Sequence, residues 1–296
     1  MTRGVPIGSP KGVPMPAPEL RSDLLTFATI VPRLRAAGCV FAEDEALLLL
    51  SEASGPAELS EWVDRRVTGS PLEYILGWAE FCGLRIAVEP GVFVPRRRTG
   101  LLVSEAVAIL RESPTPPAAS WPGVVVDLCC GSGAVGVGIA SQVPGVELHA
   151  ADIDPVAVRC GRRNVARVGG LIHQGNLYAA LPSTLHGRVQ LLAVNAPYVP
   201  TGALRTMPPE AREYEPRVSL DGGADGLDLH RRVILEAAQW LAPEGRLLIE
   251  TSEPQAAGTA GIMAAAGFAA RTVHAEELDG TVVIGTALAA CARQPL

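Results

Sequence analysis

Apolar residues recur at helical spacing between residues 22 and 66, and Gly38 and Gly55 interrupt the pattern. This arrangement predicts a few short helices joined by turns. Between residues 71 and 94 the apolar stretches become short and extended around Gly83, which is typical of a hairpin. The first part of the chain is therefore predicted to be a small helical domain followed by a hairpin-like linker.

From residue 124 onward, apolar strands alternate with helical segments. Residues 124–127 form a short apolar run that ends in a carboxylate, and residues 191–195 form a second continuous run. Asp154 followed by Pro155 predicts a helix start, because aspartate caps the first turn and proline fits its first position. Such alternation predicts an open, mostly parallel sheet with helices on both faces. The predicted divisions are a disordered leader (1–20), a helical domain (21–70), a linker hairpin (71–98) and a sheet domain (99–296).

The composition narrows the possible functions. The chain has 296 residues and a net charge of -6, and an acidic surface disfavours extended contact with duplex nucleic acid. No secretory signal or membrane-spanning run is visible. The six cysteines show neither a Cys-x-x-Cys spacing nor a spacing paired with histidine. The five histidines do not show the spacing of metal ligands. We therefore expect a cytoplasmic protein with reduced cysteines, no metal and no membrane contact.

A glycine-rich turn follows the first strand of the predicted sheet. Glycines at residues 131 and 133 allow a ligand to approach the backbone closely. Asp152 ends the next strand, where a carboxylate can accept the two hydroxyls of a ribose. No lysine follows the glycines, so a triphosphate site is not expected. A ligand with a ribose but no phosphate fits best, and S-adenosylmethionine is such a ligand, although each feature alone is also compatible with a tight turn or a helix cap.

Two further segments complete the predicted cofactor site. Asn176 and Leu177 follow the third strand, where they can contact the edge and the face of an adenine, although such a segment alone is more often a turn. Asp127 is expected to fix the glycine-rich turn through backbone N–H groups. The residues assigned to the cofactor are Asp127, Cys129, Cys130, Gly131, Ser132, Gly133, Asp152, Ile153, Asn176, Leu177 and Asn195.

The segment Asn195-Ala196-Pro197-Tyr198 is the predicted catalytic site. Asn195 is the first polar residue after a buried strand, and Pro197 fixes the backbone that follows. The Asn195 side-chain oxygen and the Ala196 carbonyl can each accept one N–H of a planar nitrogen, while Tyr198 packs on the planar group. Such a site acts by positioning and by charge-dipole stabilisation. An ordinary Asn-Pro turn is the alternative for this segment taken alone.

Taken together, these segments resemble the protein N5-glutamine methyltransferases, which modify the Gly-Gly-Gln loop of peptide-chain release factors. The resemblance extends over residues 22–290. The matching segments are residues 66–77, 93–96, 127–133, 195–198, 213–216, 222–227 and 245–250, together with Asp152. It implies a class I S-adenosylmethionine methyltransferase, with a Rossmann-like, mostly parallel sheet of seven strands and a small N-terminal helical domain. It also implies S-adenosylmethionine as cofactor and a release factor as protein substrate.

The sequence departs from the family pattern close to the predicted site. Ala196 replaces the first proline of the usual Asn-Pro-Pro-Tyr, and Asn176 replaces a common aspartate. Cys129 and Cys130 stand where the family has Gly-Thr. Further departures are Arg97, Arg98 and Gly100. The chain is thus compatible with a divergent paralogue.

Two other functions are compatible with these residues. One is N-methylation of a nucleic-acid base, because an exocyclic amine is also planar and conjugated. Its candidate phosphate contacts are Arg96, Arg97, Arg98, Arg159, Arg162, Arg163 and Arg167, although ion pairing is the simpler interpretation of the last four. The other is a binding protein that keeps the fold without turnover.

Overall fold

The computed structural model describes residues 25–112 and 123–287. The predicted leader, residues 1–20, lies outside the described residues. The chain divides into two compact units, Met1–Thr68 and Gly69–Leu296. The domain boundaries inferred from the sequence stay predictions.

Within its described residues, 25–68, the first unit contains three helices, as the helical spacing predicted. They are α1 (Phe27–Ala36), α2 (Ala42–Glu52) and α3 (Pro56–Val67). A largely buried salt bridge links two of them, with Arg66 Nε 2.6 Å from Glu45 Oε2. The unit is thus held by apolar helix faces together with this ion pair.

The second unit begins with a short helix and the predicted hairpin. Helix α4 (Leu72–Leu76) leads into strands β1 (Trp78–Phe81) and β2 (Leu84–Ala87), which pair antiparallel. A 3-10 turn at Arg97–Thr99 then leads directly into α5 (Gly100–Glu112). This turn brings Thr99 into the buried interior, where it is 2% exposed.

Strands and helices alternate through the rest of the unit. The strands are β3 (Val124–Leu128), β4 (Glu147–Asp152), β5 (Leu171–Gln174), β6 (Val189–Val194), β7 (Leu241–Thr251), β8 (Phe268–Ala275) and β9 (Gly280–Ala287). The helices are α6 (Ala134–Gln142), α7 (Pro155–Val165), α8 (Pro209–Tyr214), α9 (Asp228–Trp240) and α10 (Glu253–Ala265). The Asp154 side chain accepts a hydrogen bond from Val156 N at 2.8 Å, so the predicted helix cap is confirmed.

The seven strands form one sheet in the order β5-β4-β3-β6-β7-β9-β8. All neighbouring pairs from β5 to β7 are parallel, while β9 runs antiparallel to both β7 and β8. Strand β3 is buried along its whole length. Apolar cores lie on both faces of the sheet, one against α5 and α6 and the other against α9 and α10. The predicted mostly parallel seven-stranded sheet is therefore confirmed.

The start of β7 differs from the start that the sequence predicts. The apolar pattern of the sequence predicts a strand over residues 246–250, whereas β7 begins at Leu241. The pairing with β6 shifts register there, since Val189 pairs with Leu241 and Leu191 pairs with Arg246. Glu244 lies in the left-handed region with φ 61°. This bulge interrupts the apolar pattern, which hid the first half of the strand.

Candidate active site

Asp127, near the end of β3, binds the start of the helix that follows the glycine-rich turn. Its Oδ2 accepts a hydrogen bond from Gly136 N at 2.8 Å, and the residue is 1% exposed. Burial raises the pKa of this carboxyl to about 7. Gly131 and Gly133 have positive φ values of 54° and 76°. Asp127 therefore binds the backbone of the first turn of α6, and its contact with the glycine-rich turn itself stays a prediction.

Asp152, at the end of β4, is tied to the same turn. Its Oδ2 accepts from Gly131 N at 2.8 Å, and its Oδ1 accepts from Asp154 N at 2.9 Å. Each carboxylate oxygen keeps a second lone pair, so both can still accept a ribose hydroxyl. Ile153 beside it is 51% exposed, which leaves an apolar surface at the mouth of the site.

Asn176 and Leu177 follow β5. Leu177 is buried with a positive φ of 50°, whereas Asn176 is exposed. Asn176 Oδ1 accepts a hydrogen bond from Arg232 Nη2 at 2.8 Å. This bond engages the amide oxygen of Asn176 and leaves its amide nitrogen as the group that can donate to a ligand. The partner was not foreseen, because Arg232 lies 56 residues further along the chain.

The acceptor segment follows β6. Asn195 is half-buried and its Nδ2 donates to Thr99 Oγ1 at 3.3 Å. Ala196 is 1% exposed. The Tyr198 hydroxyl donates to Glu250 Oε1 at 3.3 Å. Burial and the Glu250 charge raise the pKa of Tyr198 to about 12, so the phenol keeps its proton at neutral pH.

Glu250, on β7, connects the side chains around this segment. It is 1% exposed, and Arg98 Nε lies 3.9 Å from its Oε1. Burial raises the pKa of Glu250, while hydrogen bonds from Thr99 and Tyr198 and the charge of Arg98 oppose that shift. The sequence offers both Glu250 and Glu215 as support for the acceptor segment and does not rank them. In the structure Glu250 contacts Tyr198, whereas Glu215 binds Arg96 at 2.5 Å.

Two glycines explain why the acceptor segment can pack so tightly. A Cβ at Gly222 would lie 2.8 Å from Pro197 O, and a Cβ at Gly226 would overlap Tyr198 O. Gln255 Nε2 donates to Tyr198 O at 2.9 Å from the same side. The segment over residues 222–227 therefore buttresses the acceptor backbone, which no spacing rule could show.

The predicted residues surround one cavity at the carboxyl edge of the sheet. Every predicted residue except Gly133 lines it, and Gly133 lies one position away in the turn. The additional lining residues of the acceptor end include Phe93, Arg96, Arg98, Thr99, Met207, Val218 and Leu220. The cavity therefore joins the turn after β3 to the segment after β6.

The residues at the turn fit S-adenosylmethionine. A Cβ added at Gly131 meets nothing within 4 Å, so the space beside this backbone is open. Asp152 provides acceptors for a ribose and Ile153 an apolar face for an adenine. Among the described residues, no group of three or more His, Cys, Asp or Glu is placed to hold a metal ion.

Other predicted features have structural roles. Arg159 and Arg163 pair with Glu89 at 3.1 and 2.8 Å, so ion pairing accounts for both. Cys130 is buried, and the cysteines among the described residues form no disulfide with one another. Within the part of the chain that the structure describes, no helix has the length and apolarity required to cross a membrane.

A parallel sheet with one reversed strand and a glycine-rich turn beside the Asp152 carboxylate define a class I S-adenosylmethionine-dependent methyltransferase. Residues 86–206 match the family described as Methyltransferase small domain. A release factor glutamine methyltransferase from Geobacter sulfurreducens is 39% identical over 208 residues, which cover 70% of this chain and 69% of that protein. The chain belongs to the release factor glutamine methyltransferase family.

The chain is also similar to a second sequence relative and to a solved structure. A 4-amino-L-phenylalanine/4-methylamino-L-phenylalanine methyltransferase from Streptomyces pristinaespiralis is 38% identical over 216 residues, covering 72% of this chain and 71% of that enzyme. A solved protein-(glutamine-N5) methyltransferase from Alicyclobacillus acidocaldarius is 24% identical, with a TM-score of 0.40 over 68% of this chain and 98% of that chain.

Proposed function

We propose that this enzyme methylates the side-chain amide nitrogen of a glutamine in a peptide-chain release factor. The observation that carries the proposal is the single cavity, which joins a turn suited to S-adenosylmethionine with the Asn195–Tyr198 segment. The cofactor supplies an electrophilic methyl group. A substrate of this kind places the enzyme in the cytoplasm.

The cofactor-binding roles follow from the geometry of the turn. Asp152 accepts the ribose hydroxyls, and Ile153 covers one face of the adenine. The amide nitrogen of Asn176 faces the adenine edge, because Arg232 occupies its oxygen. The remaining members of this proposed site are Asp127, Cys129, Cys130, Gly131, Ser132, Gly133, Leu177 and Asn195.

The catalytic roles belong to the acceptor segment. An amide nitrogen is a poor nucleophile, since its lone pair is delocalised. Asn195 Oδ1 and the Ala196 carbonyl each accept one N–H of the glutamine and hold its nitrogen toward the methyl group. Pro197 fixes the backbone, and Tyr198 packs on the amide plane. Ala196 replaces a proline of the family pattern but retains the backbone carbonyl that accepts the N–H of the substrate.

The test is mass spectrometry of a purified release factor incubated with enzyme and S-adenosylmethionine. We expect one methyl group on the glutamine of the Gly-Gly-Gln loop. A release factor in which that glutamine is replaced by glutamate is the matched control. Methylation elsewhere, or none, contradicts the proposed substrate.

A second candidate is N-methylation of a small aromatic amine. The observation that favours it is the 38% identity to the Streptomyces pristinaespiralis enzyme, whose named substrate, 4-amino-L-phenylalanine, carries an arylamine nitrogen. Such a nitrogen is also conjugated, so the same two acceptors can orient it. A competition experiment tests this candidate: one enzyme preparation receives 4-amino-L-phenylalanine and release factor at equal concentrations, and methylation of each is measured. Turnover of the amino acid with an unmodified protein supports the second candidate.

A further inference from the structure

The first turn of α10 has the sequence of a helix cap but uses its side chains in another way. Ser252 precedes the helix and Gln255 is its third residue, the spacing at which each side chain can bond to the backbone N–H of the other. Within the described residues, the Ser252 side chain makes no such cap. Its hydroxyl donates instead to Gln255 Oε1 at 2.5 Å. Both side chains are therefore engaged elsewhere, although a cap would stabilise the helix.

The Gln255 amide connects two loops that lie far apart in the sequence. Its Nε2 donates to Tyr198 O at 2.9 Å and to Asp225 O at 2.9 Å. A glutamine amide has two N–H groups, so these bonds use both of them. The Ser252 hydroxyl engages the amide oxygen, which leaves the nitrogen facing the two carbonyls. Both polar atoms of the Gln255 side chain are thus bonded.

Backbone hydrogen bonds join the same two loops one residue beyond Tyr198. Val199 N donates to Leu220 O at 3.1 Å, and Val199 O accepts from Gly222 N at 2.8 Å. These bonds use the N–H and the C=O of Val199, while the Tyr198 carbonyl accepts from Gln255. The Gln255 amide therefore adds a side-chain link to a backbone pairing that already holds the end of the acceptor segment.

We propose that Gln255 is a positioning residue that holds the Tyr198 carbonyl and, through it, the Ala196 carbonyl that orients the methyl acceptor. Pro197 lies between these two carbonyls, and its ring fixes φ, so the position of one constrains the other. Gln255 is not among the residues that line the cavity, so it acts through the backbone. This inference rests on the proposed function for the role of the acceptor segment, but not for the hold on its backbone.

Gln255→Glu separates this role from support of the helix. A glutamate at the third position can cap α10, and its charge is favourable at a helix N-terminus. When ionised, it cannot donate to the Tyr198 and Asp225 carbonyls. With an acceptor that the wild type methylates, we expect kcat to fall about 10- to 100-fold, the scale of a misplaced reacting group. The melting temperature should equal or exceed that of the wild type.

Gln255→Met is a second variant that introduces no charge. Methionine has a similar length and has no N–H to donate, so kcat should fall to a similar extent. Both variants should keep the wild-type dissociation constant of S-adenosylmethionine, measured by calorimetry, because the lost bonds hold the acceptor end of the cavity. Folded variants that keep the wild-type kcat overturn the proposal.

Gln142→Glu is the matched control. Gln142 ends α6 and is exposed, and its Nε2 donates within the helix to Gly138 O at 3.2 Å. It lies outside the cavity, so the same replacement there should leave kcat unchanged. Equal losses of kcat in Gln142→Glu and Gln255→Glu would contradict a role that is specific to Gln255.

Hydrogen exchange tests the hold on the backbone without any methyl acceptor. The reporters are the N–H groups of Val199 and Gly222, which bond across the two loops. In both Gln255 variants these groups should exchange about tenfold faster than in the wild type, the scale of one or two hydrogen bonds, while α10 beyond its first turn keeps its rates. Unchanged rates at both reporters, or faster exchange in α10 alone, overturn the proposal. If the wild type methylates no acceptor, the proposed function fails, while the exchange rates still decide the positioning proposal.

Discussion

The two ends of the cavity are built in different ways. At the cofactor end, Asp127 and Asp152 bind backbone N–H groups 9 and 21 residues away in sequence. At the acceptor end, Asn195 and Tyr198 bind side chains 96 and 52 residues away. A site formed by backbone groups tolerates side-chain replacements, such as Cys129 and Cys130 in place of the Gly-Thr of the family. A site shaped by distant side chains depends on each of them.

The largest expected effect is that of Gly226→Ala on the acceptor end. Gly226 has φ 78°, and a Cβ there would overlap the Tyr198 carbonyl. Displacement of this backbone should lower methyl transfer at least about 100-fold, because misplacement by about 1 Å has effects of that size. The dissociation constant of S-adenosylmethionine, measured by calorimetry, should change little.

Gly261→Ala is its control. Gly261 lies within α10, and a Cβ there meets nothing within 4 Å. This variant should retain full transfer and unfold at the same or a slightly higher temperature. Equal losses in the two variants would show that the clash is not what matters.

The pH dependence of stability tests the cofactor end. Folding raises the pKa of Asp127 to about 7, so above pH 7 its buried charge destabilises the fold, and protonation relieves that cost as the pH falls. Asp127→Asn removes the charge. Relative to the wild type, the variant should gain about 2–3 kcal/mol of unfolding free energy between pH 5 and pH 8, at roughly 1.4 kcal/mol per pKa unit. Urea unfolding of both proteins at pH 5 and at pH 8 measures this gain. A difference in unfolding free energy that is the same at the two pH values contradicts the raised pKa of Asp127.

Asp152→Asn should weaken cofactor binding about tenfold, the scale of a hydrogen bond to a charged group. The amide keeps only one accepting atom where the carboxylate offers two to backbone and ribose. Asp279→Asn, in an exposed turn outside the cavity, is the matched control and should bind normally. Calorimetric titration distinguishes them, and unaltered affinity in Asp152→Asn removes the ribose role.

The smallest effect is expected at Ile153. Its side chain is 51% exposed, and a ligand that covers part of this area buries the equivalent of about one methylene group, which contributes about 0.8 kcal/mol. Ile153→Ala should raise the dissociation constant of S-adenosylmethionine about fivefold. Leu235→Ala removes an apolar side chain that is 71% exposed on α9, away from the cavity. If both variants weaken binding equally, Ile153 has no specific contact.

The same contrast explains what the sequence could show. The turn after β3 and the Asp154 cap are local, so spacing alone predicted them. Thr99 carries no signal of its own, because its role depends on the meeting of a 3-10 turn with β6 and β7. Arg232 carries no signal for the same reason, since its bond to Asn176 also depends on the fold. The start of β7 was missed where Glu244 breaks the apolar pattern with a bulge.

The most direct test of the account is single-turnover methylation of a release factor by the wild type and by Asn195→Ala, with both enzymes saturated with S-adenosylmethionine. With both enzymes saturated, Asn195→Ala is expected to transfer the methyl group at least about 100-fold more slowly than the wild type, because orientation of the nitrogen is lost. Transfer at the wild-type rate by Asn195→Ala would contradict it.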